Sequence, residues 1–174
     1  MEAIMKKIWV MVLLLSLSVV GIVCAEEGSS TGKGYYLGDL TVLPMTKGYT
    51  QINYDVCGIM TSGSGKGLFH NASQRILGSM QVVKGVIEDS GFIVATLTNG
   101  DNVFMTYKGS GTWSSPDKPP VVKGTCIIVG GTGKAAGITG NVEFTRYTLR
   151  PPAKGKSASF SISKTNWKIV KPKM

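Results

Sequence analysis

Histidine, acidic residues and paired cysteines are what this sequence has least of, and their scarcity removes several kinds of chemistry at once. His70 is the sole histidine among 174 residues. With no CxxC pair and no Cys/His cluster, a zinc or haem site built on those ligands is excluded, and no cofactor is expected. The acidic residues number only 10. Outside the first residues they are few (Asp39, Asp55, Glu88, Asp89, Asp101, Asp117, Glu143 among them) and most stand at turn signals, which leaves little for the paired carboxylates of a glycosidase. His70 has no GxSxG or other Ser/Asp partner pattern, so it reads as an exposed loop residue before it reads as an acid or base. Long helices are missing too: after residue 25 no stretch sustains apolar residues at i, i+3 and i+4 with caps. Nor is there a basic stripe interleaved with aromatics. Lys33, Lys47, Lys66, Lys84, Lys108, Lys123 and Lys134 stand singly, and only 164–173 concentrates lysine. Nucleic-acid binding is therefore not expected.

What is present begins at the N-terminus. Lys6 and Lys7 precede an almost wholly apolar run, 8–23, and Val23 and Ala25 occupy the −3 and −1 positions of a small-residue cleavage site. That order predicts a signal peptide over 1–25, removed on export to the periplasm or exterior. The apolar run is short of the roughly 20 residues a spanning helix needs, so no membrane span is expected after cleavage. Lipidation of Cys24 is disfavoured, since Val23 is not the small residue that modification wants before the cysteine. The whole chain carries a net charge of +9, and losing Lys6, Lys7 and Glu2 with the signal leaves +8, a dispersed basic surface that solvates the domain. What remains is one domain's worth of chain.

Residues 26–34, "EEGSSTGKG", are polar and glycine-rich and predict a flexible leader. From Tyr35 the chain turns to short β-branched and aromatic runs cut by turn signals at even spacing, the pattern of a sandwich or barrel. Eight runs are drawn: 35–43, 49–60, 74–87, 91–98, 102–108, 121–129, 140–149 and 157–170. In "TQINYDV", Ile52, Tyr54 and Val56 share the core face and Gln51, Asn53 and Asp55 the wet one. Asn99-Gly100 predicts a type I′ hairpin turn, "EDSG" at 88–91 a second tight turn, and Pro116, Pro119 and Pro120 a loop over 114–120. Pro151 and Pro152 end the seventh strand. In the last strand Ala158, Phe160 and Ile162 fall on the face opposite Trp167 and Ile169, which predicts a bulge near 164–166.

The segment "GGTGKAAGITG", 130–140, fails as a phosphate loop. Ile128 stands where Walker A needs glycine and Ala135 where it needs Ser or Thr; a strand rather than a helix follows, which rules out the dinucleotide fingerprint. "GSGKG" at 63–67 fails similarly, and both read as turns. Asn71 heads an Asn-x-Ser sequon, relevant only in a glycosylating host.

Taken with the preceding "DNVFMTYKGSG" and the following "EFTRYTLRPP", that corner resembles the small exported bacterial proteins of the allene oxide cyclase-like, dirigent-like barrel group, within the calycin-type barrels. The resemblance covers roughly 50–170. It implies an eight-stranded antiparallel up-and-down barrel over 35–174, in agreement with the strand count, but transfers no catalytic residue. Three readings of function stand side by side: a non-catalytic barrel binding a small hydrophobic ligand or a partner, a cyclase- or isomerase-like barrel that shapes a reactive intermediate, and a filled barrel serving as a homo-oligomerising module. Lining residues expected from strand parity and side-chain type are Tyr54, Arg75, Met105, Tyr107, Phe144 and Arg146, with core filler or outer face as the alternative for each. Cys57 and Cys126, on the second and sixth strands, stand across the lumen from each other and are not expected to form a disulfide.

Overall fold

In the computed structural model, which describes residues 25–114 and 118–171, the chain is all-β and forms a closed antiparallel barrel in which every strand pairs with its neighbours in sequence and β1 closes on β8. The strands are β1 (Ala25–Thr46), β2 (Tyr49–Ser62), β3 (Ala72–Val83), β4 (Val86–Thr96), β5 (Asn102–Thr112), β6 (Val121–Gly131), β7 (Ile138–Thr148) and β8 (Lys156–Val170). The predicted signal peptide lies outside the described residues except for Ala25, with which β1 opens.

The ladder that closes the barrel runs from Ala25 to Asp39 and includes the whole segment that composition assigned to a flexible leader. Residues 26–34 are strand, registered against β8 from Glu26 opposite Ile169 to Gly34 opposite Ser161, while the later part of β1 pairs with β2 from Gly32 onward. A polar, glycine-rich stretch has no reason to order alone. Here the β8 ladder satisfies its backbone and removes what would otherwise be an open sheet edge. Gly28 has a steric role as well: an added Cβ would lie 2.6 Å from the Trp167 ring, so the indole packs where only glycine leaves room.

Three local expectations are corrected. Residues 88–91 lie inside β4 and the turn falls earlier, at Lys84 and Gly85, both with positive φ (50° and 83°). The acidic "EDSG" looked like a turn because one of its polar residues, Asp89, points inward. The hairpin at Asn99-Gly100 exists, but only Gly100 has positive φ (86°). Its N–H donates to the Leu97 carbonyl (2.9 Å) and the Leu97 N–H to the Asp101 carbonyl (2.8 Å), a three-residue loop with glycine in the left-handed position. No bulge interrupts β8, which stays in register with β7 through 164–166. Ser159, Ser161, Ser163, Thr165 and Ile169 are buried on its inner face, and Ile162 is exposed on the outer one.

The glycine-rich corner joins β6 to β7 through a short 3-10 turn, Gly133–Ala135, with positive φ at Gly133 (51°) and Gly137 (78°). The Asp101 carboxylate accepts the Lys134 N–H at 2.9 Å. This corner and the β2–β3 loop close one end of the barrel, where Phe69, Leu97, Ala135, Ile138 and Ile169 are all buried in one cluster. Trp113, Pro119 and Pro120 and the β7–β8 loop border the other end, which is open.

Candidate functional site

The open end leads into a chamber of about 750 Å3 walled by Leu40, Val42, Ile52, Val56, Met80 and Trp113. Beyond it, toward the closed end, lies a small cavity of about 50 Å3 bordered by Met60, Phe69, Gln74, Cys126, Ser161, Ser163 and Thr165. Tyr36, Ile76 and Arg146 border both spaces. Tyr54 and Arg146 line the chamber at this level, and with Asp89 and Tyr107 behind them they form a polar cluster at its floor.

Strand register explains how that cluster is assembled. Tyr54 on β2 is opposite Gly78 on β3, Gly78 is opposite Gly91 on β4, and Gly91 is opposite Tyr107 on β5. Two tyrosines thus face each other over two glycines that lack the side chains to hold them apart, and a Cβ on Gly78 would overlap both the Tyr107 hydroxyl and the Tyr54 ring. The phenol oxygens are in hydrogen-bond contact. Tyr54 Oη donates to Asp89 Oδ1 at 2.7 Å and accepts from Arg146 Nη1 at 2.8 Å, and Arg146 Nη2 donates to Asp89 Oδ2 at 2.5 Å. Phe144 stands edge-on to Tyr107 with centroids 6.1 Å apart. It too lies over glycine, because Cβ atoms on Gly109 and Gly124 would crowd its ring.

The ion pair is deeply placed: the Asp89 side chain is 0% exposed and that of Arg146 12%. Asp89 is the one buried acidic side chain among the described residues. Burial pushes the Tyr54 phenol up to about 12, opposed in part by the Arg146 charge. Burial, together with Tyr54 and Asp89, raises Tyr107 as well. Burial works to lower Arg146, but Tyr54 and Asp89 outweigh it and the guanidinium stays firmly protonated. At neutral pH Arg146 is therefore a cation, and Tyr54 and Tyr107 are protonated phenols. A guanidinium carries five N–H donors, more than the two bonds that Tyr54 and Asp89 accept, so Arg146 keeps donors for an acceptor atom in the chamber. Deeper in, Tyr36 Oη donates to Gln74 Oε1 at 2.6 Å, burial raising the Tyr36 phenol, and Thr165 Oγ1 is buried with no hydrogen-bond partner among the described residues.

Of the lining residues expected from sequence, Tyr54, Met105, Tyr107, Phe144 and Arg146 face the lumen. Arg75 does not. It lies on the outer face, 61% exposed, in a bidentate pair with Asp55 at 3.0 and 2.7 Å; the inward neighbour on β3 is Gln74, 7% exposed. Asp89, Tyr36 and the β8 hydroxyls escaped sequence reasoning. The signal that could have found the floor is glycine in mid-strand, at Gly78 and Gly91, where a backbone is closely approached. His70 sits at the closed end, its Nδ1 accepting the Ser62 N–H at 3.2 Å. Cys57 is exposed on the outer wall, Cys126 is buried in the lumen, and both are free.

No family model matches the chain, and none of the curated proteins matches it. Among solved structures, the pterocarpan synthase dirigent protein GePTS1 is similar over 88% of this chain and 96% of that chain, at 11% identity and a TM-score of 0.47.

Proposed function

We propose that this chain is an exported, non-catalytic barrel that binds a small, mainly apolar molecule in the open chamber. The observation that carries the reading is the chamber itself: about 750 Å3 of space open to solvent with largely apolar walls, Tyr54 and Arg146 at its floor and cationic side chains at its mouth, within the range of small-molecule sites. Those groups suit holding more than transforming. Asp89 is engaged by Arg146 and Tyr54, the phenols are protonated at neutral pH, and His70 lies at the closed end. Among the described residues no histidine or carboxylate lines the chamber. A guest with an acceptor oxygen would gain a charge-assisted hydrogen bond from Arg146.

A second reading, that the barrel shapes a reactive intermediate, draws its support from the same buried cluster, because perturbed groups in a cleft are also how reactive centres are built. Native mass spectrometry of protein purified from its own host separates the possibilities. A bound small molecule released unchanged on denaturation supports binding; a molecule converted during incubation supports the second reading; a mass equal to the bare chain in every preparation counts against both.

A further inference from the structure

Among the described residues the chamber lining is charged in one sense only: Arg146, Arg150, Lys154 and Lys156 border it, and no described acidic residue does. Two of these cations are matched from outside the lining, Arg146 by Asp89 and Lys156 by Asp39. Arg150 and Lys154, both exposed at the mouth on the β7–β8 loop, have no ion-pair partner among the described residues. At the floor Arg146 is therefore paired with Asp89, whereas Arg150 and Lys154 at the mouth have no ion-pair partner among the described residues.

We propose that the ligand class is an organic acid with an apolar body: the body fills the chamber and the anionic group stays at the mouth against Arg150 and Lys154. This rests on the binding function proposed above and adds the ligand's charge and orientation. The physical ground is the difference between the two ends. Sending an anion to the floor would place it beside the buried Asp89 carboxylate, 0% exposed, where an unpaired charge is costly. At the mouth the acid keeps much of its water and gains two cations that have no ion-pair partner among the described residues. Such focusing also raises the rate at which anions find a cleft.

The probes are 8-anilinonaphthalene-1-sulfonate and its uncharged counterpart N-phenyl-1-naphthylamine, which share one apolar body and differ in the sulfonate. Exposed ion pairs are modest, so at about 20 mM salt the sulfonate should bind about threefold to tenfold more tightly, and that advantage should shrink toward unity at 1 M salt, where the Debye length falls to about 3 Å. The double variant Arg150→Gln/Lys154→Gln should abolish the advantage while leaving the neutral probe's affinity and the melting temperature unchanged. Leu40→Trp, which crowds the chamber wall, should weaken both probes. Equal binding of the two probes, or a sulfonate preference that survives the double variant, overturns the acid assignment and leaves the binding function standing. Failure of both probes to bind, or binding indifferent to Leu40→Trp, overturns the binding function and this inference with it.

Discussion

Removing one partner of the Arg146/Asp89 pair should destabilise the barrel more than removing both. The pair is linked at 2.5 Å, with the carboxylate 0% and the guanidinium 12% exposed, so neither charge can fall back on bulk water when its partner is lost. Arg146→Met leaves Asp89 with only the phenol hydroxyls, Tyr54 at 2.7 Å and Tyr107 at 3.4 Å. Asp89→Leu leaves the guanidinium with a single acceptor, Tyr54 Oη. Breaking a buried pair in this way costs about 3–5 kcal/mol. For a domain of this size each kcal/mol moves the melting temperature by about 2–4 °C, which makes each single variant about 6–20 °C less stable. The double variant Asp89→Leu/Arg146→Met removes both charges and fills the space with apolar atoms, an exchange that ranges from neutral to a gain of about 1–4 kcal/mol. Its stability should return to wild type or exceed it, apart from the cost of one unpartnered phenol bond, about 1 kcal/mol. Urea unfolding of all four proteins closes the cycle, the comparison being valid while the slope with denaturant is unchanged. Single variants that each lose under 1 kcal/mol would refute the reasoning, because the floor would then be wet enough to solvate a lone charge.

Gly137 has φ of 78° and an added Cβ would fall on the Val170 carbonyl oxygen, so Gly137→Val should cost at least the 1–3 kcal/mol of a strained position, read as a lower midpoint in thermal unfolding. Three of the six tyrosines, Tyr36, Tyr54 and Tyr107, have raised phenols. A folded-state value above the unfolded one means stability that is complete below about pH 10 and lost as pH rises, through about 12 for Tyr54; ultraviolet titration of folded against denatured protein should show these phenols ionising late, with unfolding free energy declining over the same interval. With the Cys126 thiol buried and pushed up to about 12, a thiol reagent should label Cys57 rapidly in the folded domain and Cys126 only after denaturation. N-terminal sequencing of the exported protein should begin at Glu26; a lipidated Cys24 at the N-terminus would overturn the export reading.

How far the barrel could be read in advance follows from what alternation measures. Period-two patterning marks strands without saying which face is inside, and that second step normally borrows the rule that apolar means core. The rule serves β2, where Val56 is buried and Tyr54 inward. It fails on β8, because the lumen there is a row of hydroxyls while Phe160 and Ile162 point away from it. Phe160 is stacked on the outer wall against Tyr147, centroids 4.7 Å apart, and against Tyr35 at 6.3 Å. An inward face that is partly polar and an outward face that is partly apolar cannot be told apart within one strand. The predicted bulge was the device needed to reconcile them under the wrong assumption. Asp89 was lost in the same way: an acid between Glu88 and Ser90 satisfies every local criterion for a turn, and only the opposing register of β5 and the reach of Arg146 from β7 give it an inward place. The misassignment of Arg75 is the converse, since a lone arginine in a strand invites a buried role but β3 turns that parity outward to meet Asp55. What a closed barrel does write into its sequence is its glycines. Gly78 and Gly91 interrupt two strands at positions that have no turn to make: a side chain on Gly78 would meet both facing phenols, and one on Gly91 the neighbouring Leu77 carbonyl as well as the Tyr107 ring.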